Sequence, residues 1–220
     1  MDSDTKNLVD KGEMLPLMES FYTIQGEGFH AGRAAVFVRF TGCNLWSGHE
    51  KDRKNAICNF CDTDFVGTDG INGGKYSCKS LVSKIKDVWQ SKERGYIVFT
   101  GGEPMLQLDE SLISVCKKNN FETAIETNGT IPIDFDIDWV CVSPKHGSEL
   151  VVKHGNELKT VFPQEGQNLD NFLDLDFEHL YLQPMDGIDG KENTTKTIQY
   201  CLEHPEWKLS IQQHKLIGMP

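Results

Sequence analysis

The feature that most constrains this chain is the run GCNLWSGHEKDRKNAICNFCDTDF at positions 42–65. It carries three cysteines, Cys43, Cys58 and Cys61, spaced C-x14-C-x2-C. Cys58 and Cys61 lie one tight turn apart, so both sulfurs can reach one metal centre. Cys43 joins them by looping back over the polar segment 47–55. Three thiolates are one short of a closed structural zinc site, which wants four ligands, and no second close pair of ligands follows. They suit an iron–sulfur cube in which three irons are held by protein and the fourth stays open. Zinc, with His49 or His30 as fourth ligand, is the alternative that the cysteines alone leave standing.

Just before this run, AAVFVRFT at 34–41 is apolar and rich in branched and aromatic residues, the pattern of a buried strand. The cysteines therefore hang on a loop at the C-terminal end of a core strand, the edge where α/β folds bind ligands. Composition narrows the partners. A net charge of −11 and the lack of a basic stripe argue against nucleic acid. No apolar run reaches the length of a membrane span, and the N-terminus, MDSDTKNLVDKGEM, is too polar and acidic for a secretion signal. Seven cysteines in no regular framework point to a reducing cytoplasm. The reading is one domain over 1–220, with 1–13 a frayed tail and 42–65 the cluster loop.

Along the chain, 17–24 reads as a strand, followed by Gln25-Gly26-Glu27-Gly28 in a glycine-rich loop. This loop lies between two strands and misses the dinucleotide spacing by one residue, so it is no nucleotide fingerprint. A hairpin needs its glycines but has no use for Gln25 and Glu27, which makes both ligand candidates. After the cysteine loop, 67–75 is a turn-rich connection. Ser77 caps a helix through about residue 91 that turns Leu81, Val82, Ile85, Val88 and Trp89 to one face. Strands are expected at 96–100, 121–127, 138–143, 157–162, 179–183 and 208–212. Helices are expected at 106–119 and at 193–202, the latter with Ile198 and Leu202 inward. Alternating strands and helices mean α/β with a parallel sheet. A closed eight-fold barrel takes about 250 residues, and roughly 40 of the 220 go to the N-terminal hairpin and cysteine loop. What remains supports about six strands, an open, partial barrel. Cys43, the Gly101 run, Glu126 with Asn128, Ser143 with Lys145, and Gln183 each close a strand, and all would project from one rim.

A three-cysteine loop after the first strand and a Gly101-Gly102-Glu103-Pro104 turn after the next resemble the radical S-adenosylmethionine (SAM) enzymes. The usual spacing there is C-x3-C-x2-C. The wider spacing here, with QGEG, RFTGCNLW, CDTDF, TGGEPMLQ, ETNG, SPK, QPMDG and QxHK, is similar to the 7-carboxy-7-deazaguanine synthases from about residue 21 to 220. The resemblance implies an α/β fold, an open partial (β/α)6-type barrel forming the radical SAM core, with an N-terminal hairpin and a modified cluster loop. It implies a [4Fe-4S] cluster, SAM and Mg²⁺. The reaction it implies is contraction of 6-carboxy-5,6,7,8-tetrahydropterin to 7-carboxy-7-deazaguanine with loss of ammonia, in queuosine and 7-deazapurine biosynthesis. A 5′-deoxyadenosyl radical would take hydrogen from C6 of the pterin, and no side chain is singled out as catalytic beyond this cofactor-driven chemistry.

Residue by residue, the resemblance makes Cys43, Cys58 and Cys61 cluster ligands and places Mg²⁺ on Thr63, although hard-cation chemistry alone would choose Asp62 or Asp64. It puts SAM against Gly102, Ser143-Pro144-Lys145 and Gln183-Pro184-Met185-Asp186, with Glu103 joining them. The substrate would meet Ile24, Gln25, Gly26, Arg39, Thr100 and Pro220, with Glu27, Glu126, Asn128 and His214 as further pterin or ribose contacts. Arg39 stands out on its own, because a charge interrupts an apolar strand. Its guanidinium either meets the substrate carboxylate or pairs with Glu27 or Glu126. Cys78, Cys116, Cys141 and Cys201 read as small buried apolar residues. The resemblance also implies a homodimer and an electron donor such as a flavodoxin. The rival readings are another radical SAM enzyme, an activase of a glycyl-radical protein, and a non-catalytic zinc-stabilised binding protein.

Overall fold

The computed structural model describes residues 14–220; the expected tail at 1–13 lies outside them. Nine strands form one sheet in the order β3-β1-β2-β4-β5-β6-β7-β8-β9. β1 (Leu15–Ile24) pairs antiparallel with β2 (Ala34–Phe40) and, on its other side, with β3 (Gly74–Tyr76). From β2 onward every pairing is parallel: β4 (Gly95–Gly101), β5 (Phe121–Thr127), β6 (Trp139–Val142), β7 (His154–Phe162), β8 (Asp176–Pro184) and the two-residue β9 (Lys208–Leu209). The sheet is open, and β2 with β4 to β8 are the six main parallel strands of the expected partial barrel.

Alternation along the strands divides the core. On β4, Ile97 and Phe99 face outward and pack with Leu81, Val82 and Ile85 of helix α1 (Cys78–Val88) and Leu112, Ile113 and Cys116 of helix α2 (Glu110–Lys118). Tyr96 and Val98 face inward with Ala35, Ala124 and partly buried Trp139. A period of two on the strand thus serves two cores. Ser77 caps α1 as expected, its hydroxyl accepting from the Ser80 N–H.

Several elements differ from the sequence reading. The helix expected from residue 106 begins at Glu110. A 3-10 turn, Pro104–Leu106, comes first, and the Asp109 carboxylate caps α2 by accepting from the Leu112 N–H at 2.9 Å. The connection at 67–75 ends in β3, which the glycines around Lys75 disguise. Helix α3 (Gly190–Glu203) buries Asn193 and Thr197, while Ile198 and Leu202 are exposed. The inward face is instead Asn193, Thr197, Tyr200 and Cys201, at helical spacing: Tyr200 and Cys201 pack on the core formed by Leu158, Leu182 and Trp207, and the Asn193 amide donates to the Met185 carbonyl. The last strand is cut short, and the chain turns into helix α4 (Gln213–Ile217), whose Gln213 N–H donates to the Gly26 carbonyl.

Candidate active site

The C-terminal ends of the parallel strands surround a cavity of about 460 Å³, a size that suits small-molecule ligands. One wall is the cluster loop. Cys43, Cys58 and Cys61 all face the cavity, backed by Trp46 and Phe65, whose rings meet edge to face. The Leu45 N–H donates to the Cys43 sulfur at 3.4 Å. Burial pushes the Cys43 thiol up. Within the close pair, the hydrogen bond from Cys58 to Cys61 holds the latter down to about 6 and raises the former. Among the described residues no three His, Cys, Asp or Glu side chains close around a single ion. Three thiols on one cavity wall with no fourth ligand suit an open multi-iron body better than a closed zinc site, and neither His30 nor His49 lines the cavity. His30 instead meets Trp139 and Tyr96 edge to face.

The Gly101-Gly102 turn presses directly on this loop. A Cβ on Gly102 would lie 2.0 Å from the Gly42 carbonyl oxygen and 2.9 Å from the Cys43 Cβ. Gly101 has a φ of +124°, which a side chain would strain. Glu103 does not line the cavity. It is fully buried, and its carboxylate accepts from the Met105 N–H (3.0 Å), the Thr127 hydroxyl (2.7 Å) and the Asn128 N–H (2.7 Å). It ties the ends of β4 and β5 together, and burial pushes its carboxyl above the usual range. Pro144 is likewise buried behind the wall and offers its carbonyl to the Thr160 hydroxyl. Its neighbours Ser143 and Lys145 do reach the cavity, with the Lys145 ammonium donating to the Ser143 hydroxyl at 2.6 Å. Gln183, Pro184, Met185 and Asp186 follow along the same rim.

The opposite wall gathers the residues expected to hold substrate: Ile24, Gln25, Gly26, Glu27, Arg39, Thr100, Glu126, Asn128, His214 and Pro220 all line the cavity. Arg39 pairs with neither Glu27 nor Glu126. Its Nε donates to Glu19 at 2.8 Å, because the β1–β2 register sets Glu19 opposite Arg39. Glu27 and Glu126 instead share Lys159, at 2.6 and 3.3 Å from its ammonium. Burial alone would raise the Glu27 carboxyl, but the charge and hydrogen bond of Lys159 bring it from an ordinary 4.5 to about 2. Gly26 permits the close approach of His214: a Cβ there would lie 2.2 Å from the imidazole Nδ1. Thr63 faces the cavity between Asp62, whose carboxylate accepts from Lys215 at 2.7 Å, and Asp64, which accepts from the Val66 N–H. Lys159, Glu19, Gln212 and Lys215 are cavity residues that sequence reasoning missed. Lys159 carries no signal like that of Arg39, because its strand, HGNELKTVF, is itself half polar.

Comparison with known proteins places this cavity. The radical SAM superfamily model matches residues 54–203. The 7-carboxy-7-deazaguanine synthase of Bordetella pertussis is 55% identical, over 92% of this chain and 97% of its own length. The chain belongs to the 7-carboxy-7-deazaguanine synthase family. The family member from Burkholderia multivorans is 54% identical over the same shares. The crystal structure of QueE from Escherichia coli superimposes with a TM-score of 0.68 at 27% identity, covering 95% of this chain and 99% of that one. The chain is thus a radical SAM enzyme, with the [4Fe-4S] cluster and SAM that this superfamily uses, on an open barrel of the expected kind. No helix among the described residues is long and apolar enough to cross a membrane.

Proposed function

We propose that this synthase-family chain contracts 6-carboxy-5,6,7,8-tetrahydropterin to 7-carboxy-7-deazaguanine with loss of ammonia, serving queuosine and 7-deazapurine biosynthesis. The observation that carries the reading is the single cavity that has three thiols on one wall and Arg39, Gln25, Glu27 and Glu126 on the other. Cys43, Cys58 and Cys61 would hold the cluster, and Gly102, Ser143, Lys145 and the 183–186 turn would hold SAM beside it. When bound, the cluster and SAM supply the electron and the hydrogen-abstracting radical.

The chain's own residues bind and orient. Arg39 uses its Nε on Glu19, which fixes the guanidinium plane and leaves further N–H donors for the substrate carboxylate. Gln25, held by Glu126 at 2.9 Å, presents a fixed amide. Glu27 and Glu126 are acceptors for the N–H edge of a pterin, with Asn128, Thr100, His214 and the Pro220 backbone around them. Trp46 and Phe65 keep the thiol wall dry, where electrostatic contacts are stronger than in water. Further parts of the reading are a Mg²⁺ ion on the Thr63 hydroxyl with substrate oxygens, the whole chain acting as one domain, a cytoplasmic homodimer, and an electron donor such as a flavodoxin.

Anaerobic incubation with the carboxytetrahydropterin, SAM and a reductant tests the reading. The expected result is the deazapurine chromophore from a brown protein with about four irons per chain. A colourless protein with stoichiometric zinc, or an iron-loaded one that leaves the pterin unchanged, overturns it.

A further inference from the structure

The floor of the cavity holds a cation that neither the fold family's name nor the cysteine loop calls for. Lys159 comes from the middle of β7, and its side chain is 5% exposed. Its Nζ donates to Glu27 Oε2 at 2.6 Å and to Glu126 Oε1 at 3.3 Å. Glu27 lies on the β1–β2 loop and Glu126 near the end of β5, so one ammonium joins two elements that face the ligand from different sides. Other side chains fix the two carboxylates in place, while Glu126 Oε2 accepts no hydrogen bond among the described residues and stays open to a ligand. Glu27 Oε1 accepts from Gln183 and Gln212, and Glu126 Oε1 also accepts from Gln25. The group carries two carboxylates and one ammonium, hence one net negative charge facing the cavity.

Two carboxylates near each other in a poorly solvated site do not both stay ionised unless a cation lies between them; otherwise they share a proton. A protonated carboxyl donates a hydrogen bond where an ionised one accepts. A pterin's pyrimidine edge offers N–H donors, so the acceptor state is the useful one. We propose that Lys159 is a positioning residue for the pterin: by bridging Glu27 and Glu126 it keeps both carboxylates ionised and aimed as acceptors at the ligand's N–H edge. This deepens the proposed function and rests on its choice of substrate. Burial favours a neutral amine, yet the charges of Glu126 and Glu27 hold Lys159 well above its ordinary value, so the bridge stays charged. The other ionisable groups facing the bridge are Cys141 on β6, Glu157 on β7, Tyr96 on β4, His214 on α4 and Asp62 on the cluster loop. None of them supplies a permanent positive charge in place of the lysine.

The test compares Lys159→Gln, which can still donate hydrogen bonds but carries no charge, with Lys159→Arg, both reconstituted anaerobically and matched for iron content. In Lys159→Gln the KM for the carboxytetrahydropterin is expected to rise 10-fold or more, with kcat changed less. The acid limb of kcat/KM should move up by at least one pH unit. Lys159→Arg should return the acid limb to the wild-type position and recover most of the affinity. A Gln variant with wild-type KM and pH profile overturns the proposal. If the Gln variant does not fold, an Arg variant that folds yet shifts the acid limb also overturns it. Wild-type enzyme that makes no deazapurine would instead defeat the proposed substrate, a separate outcome read before either variant.

Discussion

The Thr23 hydroxyl donates to the backbone carbonyl of Pro220 at 3.1 Å, joining the first strand of the sheet to residue 220. Both flank the cavity wall that carries Glu27 and His214, so the 213–220 segment is docked over the rim. Deleting Pro220, or adding a C-terminal tag, is expected to raise the KM for the pterin about 10-fold, roughly the loss of one buried hydrogen bond to a charged or polar partner. Iron content should match that of an N-terminally tagged enzyme. Unchanged Michaelis constants would reduce the segment to packing.

The three thiols have no reserve. Cys43→Ala should lose iron and turnover together, as should Cys58→Ala and Cys61→Ala, because an open cluster uses all three. Cys201, partly buried against Leu158 and Leu182, lies in a separate core, and Cys201→Ala should keep full iron content and activity. Iron analysis after anaerobic reconstitution decides it, and a fully active Cys43→Ala enzyme contradicts the assignment.

For Thr63 the expected result is a Mg²⁺ requirement that fades in Thr63→Ala. Asp62 is already engaged by Lys215 and Asp64 by the Val66 N–H, which leaves the Thr63 hydroxyl and substrate oxygens as hard ligands for the ion. Titrating Mg²⁺ into chelator-treated wild type and variant reads this directly. Full turnover after chelation would remove the ion from the mechanism.

Glu103 sits behind the cavity wall, and its substitution should show as lost stability. In Glu103→Ala three donors, from Met105, Thr127 and Asn128, lose their acceptor. At about 1 kcal/mol or more for each unmet buried donor, the loss is roughly 3 kcal/mol. Chemical denaturation of the variant measures it. A wild-type midpoint combined with a weakened affinity for SAM would return Glu103 to the cofactor.

Glu27 sets an acid limit on folding. Its carboxyl is depressed from an ordinary 4.5 to about 2, so the folded state binds its proton less readily than the unfolded state. The stability it contributes is present above about pH 4.5 and is lost as pH falls toward 2. Glu27→Gln should therefore flatten the acid side of the melting temperature against pH. A variant whose acid limb keeps the wild-type slope would show that Lys159 does not hold this carboxylate.

The fold and much of the cavity lining were legible because their signals are local. A strand followed by Cys43, or one followed by Gly101-Gly102, can be read within a dozen residues. What could not be read depends on register and rotation. Glu19 becomes the partner of Arg39 only once β1 and β2 pair, with a bulge between Leu17 and Glu19 that shifts the alignment. Ile198 and Leu202 make a fair apolar stripe, yet the helix turns Tyr200 and Cys201 to the core and ties Asn193 to the Met185 carbonyl, which leaves that stripe outward. The sharing of Lys159 by Glu27 and Glu126 spans 132 and 33 residues, and no pattern within one strand announces it.

The open sheet has a consequence for how the enzyme comes into being. Its lateral gap is bridged by contacts between the 25–33 loop and the 210–213 segment, with Gly28 donating to the Ser210 hydroxyl across 182 positions and Gln213 to the Gly26 carbonyl. Such distant pairings carry the largest loop-closure cost and form late. During synthesis the thiol loop leaves the ribosome long before the segment that completes the pterin wall. The contacts that close the cavity thus wait on residues 210–213, made long after the thiol loop.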